Sequence, residues 1–204
     1  MQADWEFEVA GDPSASAAPT FAFPVTIIPI IEAHWPGFVD LQRNPQRASQ
    51  LPESAGLPAL AVALVLLNAP ASPVWTSKCD VWPITDPAQF DPDELDASTS
   101  SATHAVACYI DVLPKIPSQW ALPPTAAAVC KRVCVRLAAV PLRSCRADLV
   151  IRRAFVDPDS PDQPDLGITA YLTACGQSSA EAVQILQAAL RSFARALLAH
   201  STVE

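Results

Sequence analysis

Apolar and acidic side chains alternate through residues 4–9, with Trp5, Phe7 and Val9 set against Asp4, Glu6 and Glu8. A period of two marks a strand with one buried face. Residues 11–24 (GDPSASAAPTFAFP) are small and proline-bearing and predict a loop. Residues 25–41 are apolar but broken by Pro29 and Pro36, which confines any strand there to a short, bent or edge piece. Asn44-Pro45 predicts an N-cap and the first position of a short helical turn.

The pattern sharpens after Gly56. Residues 57–68 are apolar nearly all round and predict a buried helix, which Ala69-Pro70-Ala71-Ser72-Pro73 ends. Strands follow at 74–84 and 103–113, separated by an acidic loop. Pro123-Pro124-Thr125 opens a second helix reaching about residue 140, with Val129, Val133, Leu137 and Val140 on one stripe and Pro141 closing it. Strands at 147–156 and 166–175 flank the loop DPDSPDQPD. A last helix is predicted over 179–199. Ser178 and Glu181 have capping-box spacing, and Val183, Leu186, Leu190, Phe193 and Leu197 form a continuous stripe.

This order predicts an α+β fold with an antiparallel or mixed sheet and helices packed on one face. Residues 25–156 read as a loosely ferredoxin-like βαββαβ, extended by a further strand and a C-terminal helix. The α-β-β unit occurs twice, at 57–113 and 123–175, without matching residues. A chain of 204 residues suits a single domain, with the N-terminal strand and Pro-rich segment (1–50) packing on an α+β body at 51–204.

Alternation also sorts the strand residues by face. Trp75, Ser77, Cys79 and Val81, then Val106, Cys108, Ile110 and Val112, then Leu166, Ile168, Ala170, Leu172 and Ala174 are expected to face the helices. Strand 147–156 is ambiguous because each face carries an Arg; with Leu149, Ile151 and Phe155 inward, Asp148 and Arg152 lie outward. The outward face then collects Lys78, Asp80, Trp82, Tyr109, Asp111, Arg152 and Tyr171. Aromatic bodies with polar tips beside paired charges have the composition of a binding surface. The competing expectation is that the first 50 residues, with Trp5, Phe7, Phe21, Phe23 and Trp35, fold across this face.

Composition narrows the function. Half the residues are hydrophobic, and 21 acids against 13 bases leave a net charge of −8, which argues against nucleic-acid or anionic-membrane binding. No apolar stretch approaches the ~20 residues of a bilayer span, and the N-terminus lacks a signal-peptide pattern, so a cytoplasmic protein is expected. The six cysteines show no CxxC spacing and read as reduced, buried thiols. Charge is nonetheless uneven: residues 131–153 hold Lys131 and six of the ten arginines against Asp148 alone, while 79–112 hold seven acids and no Lys or Arg. That is the pattern of a solvated basic helix face beside solvated acidic loops.

No phosphate-binding glycine loop, zinc-protease or nucleophile-elbow motif is present, and with five glycines no cofactor is expected. Cys130 and Cys134 share a helix face but border the apolar stripe, which makes them core. Calcium binding between loops 85–97 and 157–165 is excluded if strands 103–113 and 147–156 run parallel, which puts the loops at opposite ends. Two functions follow: a binding module taking a protein or small ligand on the open sheet face, or a small enzyme using Cys79, Cys108 or Cys175 beside His104.

Overall fold

A computed structural model describes residues 1–8, 30–33, 37–86, 89–98, 102–156 and 165–199. Its elements in chain order are β1 (Gln2–Glu8), β2 (Ile31–Glu32), α1 (Pro58–Asn68), β3 (Val74–Ile84), β4 (His104–Pro114), α2 (Pro123–Ala138), β5 (Cys145–Phe155), β6 (Asp165–Gly176) and α3 (Ser179–Leu198), with short 3₁₀ turns between. The fold is α+β, a mixed six-stranded sheet ordered β1-β5-β6-β4-β3, with β2 also pairing β5. β1 and β2 run parallel to β5; the other pairings are antiparallel. The strand beyond the βαββαβ pattern, β6, sits centrally between β5 and β4. Since β4 and β5 are each antiparallel to β6, they run the same way, and the β3–β4 and β5–β6 connections leave opposite ends of the sheet.

All three helices cover one face. Leu60 and Leu64 of α1, Cys130 and Leu137 of α2, and Leu186, Leu190 and Phe193 of α3 form one core with Cys108, Ile110, Leu149, Ile151, Ala170 and Leu172 of the sheet. Helix α3 is capped as its spacing predicts: Glu181 N donates to Ser178 Oγ at 3.2 Å. The Glu181 carboxylate reaches one residue further back than a standard box and accepts from Gln177 N at 2.8 Å.

The alternation in β3 breaks where the sequence shows no mark. Trp75 pairs Leu113 and Thr76 pairs Val112, but the register resumes one residue late with Cys79 opposite Ile110. Ser77 and Lys78 thus share the place opposite Asp111, a β-bulge. The bulge reverses the expected faces of Trp75 and Thr76. Thr76 lies on the helix side, where Asn68 Nδ2 of α1 donates to its hydroxyl at 2.7 Å. Trp75 lies on the other side against Phe38, with ring centroids 6.3 Å apart. Beyond the bulge Cys79 and Val81 face the helices as expected.

The N-terminal segment is also placed differently from a simple cover. β1 extends the sheet edge, and Trp5 packs toward the helix-side core instead of lying across the open face. Phe7 is 41% exposed. Among the described residues, the part that crosses the open face is 30–33, joined there by Phe38, where Ile31 and Ala33 pack with Trp75, Leu113 and Ala154. It runs from β5, where Phe155 O accepts from Ala33 N at 3.0 Å, to the bulge, where Ser77 Oγ donates to Glu32 O at 2.7 Å. Gly167 makes room for it: a Cβ there would come within 2.6 Å of Ile31 Cδ1 and 2.9 Å of Leu113 Cδ2. Val9, Phe21, Phe23, Trp35, His34, His200 and residues 157–164 lie outside the described residues.

Candidate functional site

Among the described residues, the face away from the helices is walled at both ends and open in the middle. Residues 30–33 and Phe38 form one wall. The other consists of Leu95 and Ala102, with Phe90 and Ala97 beside them, packed on Ala105 and Cys175. Between them the strand registers line up two rows. Asp148, Tyr171, Tyr109 and Asp80 stand in sequence across β5, β6, β4 and β3. Val150, Thr169 and Asp111 form the next row, ending at Lys78 in the bulge. The bulge matters here, because the extra residue sets Lys78 opposite Asp111 while leaving Asp80 and Trp82 on the same face.

An open depression of about 290 Å³ is lined by Lys78, Tyr109, Asp111, Arg152, Thr169 and Tyr171 with Ile30 and Ile31. Five of the seven residues expected on this face therefore meet. Asp80 and Trp82 stand outside the depression: Asp80 is exposed, and the Trp82 ring lies 6.1 Å from that of Tyr109. The Tyr109 and Tyr171 rings are 6.1 Å apart and tilted by 49°, within the range of favourable aromatic pairs. Thr169 belongs to the site and was missed, since a Thr on the polar side of a strand carries no distinguishing signal.

The charges are arranged in pairs across long sequence distances. Arg152, only 9% exposed, donates through Nε and Nη2 to one Glu8 oxygen at 2.8 and 2.6 Å and through Nη1 to the Tyr171 hydroxyl at 2.9 Å. Burial works against its charge, but the Tyr171 and Glu8 bonds outweigh that and hold its pKa above the ordinary arginine value. Lys78 Nζ lies 3.6 Å from Glu32. Asp111 is 6% exposed and accepts from the Thr169 hydroxyl at 2.6 Å. Burial pushes the Asp111 carboxyl above the usual carboxylate range, with the Thr169 bond and the Arg152 and Lys78 charges pulling back. Burial, then the Asp111 and Asp80 charges, push Tyr109 up to about 12, so it remains a neutral phenol.

The structure places none of Cys79, Cys108 and Cys175 beside His104; Cys79 stands opposite Ile110, six strand residues along β4 from His104. Cys175 faces the wall with Ala105, whereas His104 falls on the opposite side of β4 by alternation. Cys108 shares the side of His104 but lies four strand residues along, roughly 13 Å away. His104 is exposed, and its Nδ1 is 3.0 Å from the Thr103 hydroxyl. The six cysteines are free thiols. Burial pushes Cys79 and Cys130 up to about 12 and Cys134 and Cys145 up to about 11, and raises Cys108 and Cys175 as well. Thiols held protonated in this way are poor nucleophiles.

Among the described residues no group of three His, Cys, Asp or Glu side chains is placed to hold a metal ion. No described helix is long and apolar enough to cross a membrane. A larger cleft of about 400 Å³ opens where α2 and α3 meet, lined by Trp120, Val129, Arg132 and Leu197 among others, but it gathers no comparable set of charged partners. Comparison with known proteins finds no matching family model, no similar curated protein and no similar solved structure.

Proposed function

We propose that this protein is a binding module that takes a protein or small ligand on the open face of its sheet, in the depression around Tyr109, Asp111, Arg152 and Tyr171. The observation that carries the reading is that depression itself. It brings two tyrosines and three charged side chains, Lys78, Asp111 and Arg152, from four strands into one walled, solvent-facing hollow. Such surfaces combine rigid aromatic contact area with a few oriented polar groups. The rest of the reading concerns setting. Six free thiols, most of them buried, favour a reducing compartment such as the cytoplasm, and a net charge of −8 disfavours nucleic acid as the partner.

A fragment screen read by backbone amide shifts tests this directly. Binders should cluster their perturbations on Tyr109, Asp111, Thr169 and Tyr171, and Tyr109→Ala combined with Tyr171→Ala should abolish them while the remaining spectrum stays folded. Perturbations that concentrate instead on the α2–α3 cleft around Trp120 and Arg132 would sink the open-face reading.

A further inference from the structure

Resting on the open-face reading, the partner's chemistry can be taken further from the unequal satisfaction of the charges in the depression. Arg152 is paired to Glu8 and Tyr171, and Lys78 has Glu32 beside it. Asp111 differs. Thr169 occupies its Oδ1, and among the described residues nothing donates to Oδ2. Nor is Oδ2 sealed away, because Ser54 Oγ is the one fully enclosed side-chain polar atom without a partner among the described residues. Asp111, only 6% exposed, thus lines the depression with a carboxylate of which one oxygen has no donor among the described residues. Buried charges are normally paired, so this oxygen marks a place for a donor.

We propose that the depression receives the ammonium of a lysine side chain carried by a partner protein, held by Asp111 Oδ2, with the alkyl stem lying across the Tyr109 and Tyr171 rings. An anion is disfavoured, since the two cations present are already neutralised by Glu8 and Glu32. With Thr169 on Oδ1, the two-oxygen fork by which arginine binds a carboxylate most strongly is blocked, whereas an ammonium can sit on Oδ2 alone and keep its other N–H groups in the solvent of the open hollow. A polyamine would bring its second charge against Lys78 or Arg152. Aromatic rings at this separation suit an alkyl stem ending in a cation. The hollow is open and covers only part of a small ligand, whereas Ile30, 45% exposed at one margin, and Trp82, half-buried beyond Tyr109, offer apolar contact to the chain on either side of the lysine.

The test titrates the isotope-labelled protein with four probes: a capped pentapeptide with a central Lys, its Arg and norleucine counterparts, and n-butylamine. The Lys peptide is expected to shift the amides of Tyr109, Asp111 and Tyr171 and to bind at least tenfold more tightly than the other three. Asp111→Asn, which keeps an acceptor for Thr169, should lower its affinity at least tenfold. Equal binding of the Lys and norleucine peptides at this face would overturn the cation site but leave the open-face reading intact, as would silence of all four probes where screening fragments still bind. Butylamine binding as tightly as the Lys peptide would overturn the partner protein in favour of a free amine. If neither peptides nor fragments perturb the face, both readings fall.

Discussion

The two faces of one sheet are built from alternate residues of the same strands, yet they are stabilised by different physics. On the helix side Cys108, Ile110, Leu149, Ala170 and Leu172 are essentially inaccessible and are held by apolar burial and close packing. On the other side Tyr109, Asp111, Asp148, Arg152 and Tyr171 are held by specific partners: Tyr171 and Glu8 for Arg152, Thr169 for Asp111, Arg146 for Asp148 at 2.7 Å. Apolar packing is non-directional and tolerates any neighbour of the right volume. A charge network tolerates only the right partner, and a missing one is conspicuous. That is why the open face points to a function and the covered face does not.

The largest test of this contrast lies in the core. Leu190 on α3 is fully buried, and Leu190→Ala should cost about 2–5 kcal/mol in urea unfolding through lost transfer energy and the cavity left behind. A loss below about 1 kcal/mol would show that α3 is peripheral and that the helix-side face is not the stabilising one.

A smaller effect is expected where the two modes meet. Gly167→Ala would drive a Cβ into Ile31 Cδ1 and Leu113 Cδ2, and overpacking of this kind costs about 1–3 kcal/mol. Ile31→Ala in the same chain should recover part of the loss in a double-mutant cycle. Strict additivity of the two substitutions would mean that residues 30–33 do not rest on the sheet.

The smallest effect has the opposite sign. Because burial raises the Asp111 pKa above its unfolded value, ionising Asp111 at neutral pH destabilises the fold. This penalty is present above the folded pKa and disappears as pH falls through it toward the unfolded value of about 3.9. Asp111→Asn should therefore raise the urea midpoint slightly near neutral pH, with the difference shrinking on acidification. A variant that is less stable at neutral pH would identify Asp111 as a structural acid and remove the argument that its bare oxygen awaits a partner.

Much of this was legible from alternation and stripes. The helix stripes, the Ser178 cap and the face assignments in β4 and β6 follow from local periodicity, because a residue's direction is set by its own backbone geometry. Where local geometry changed silently, the reading slipped: a bulge adds one residue without a compositional mark, and Trp75 and Thr76 changed sides. The ambiguity of β5 had another origin, an Arg on each face. Arg146 and Arg152 share the open face because Asp4 and Glu8 come alongside on β1, a strand more than a hundred residues away.

Outside the bulge of β3 and the ambiguous β5, the sequence by itself determined which side chains the strands and helices would present to either side, since those periods are properties of the chain. Only the tertiary structure decided which presented groups meet. The central position of β6, the pairing of Glu8 with Arg152 across 144 residues and the placement of Lys78 opposite Asp111 all depend on strand order and register. Those are set by packing of the whole sheet, and no local pattern encodes them.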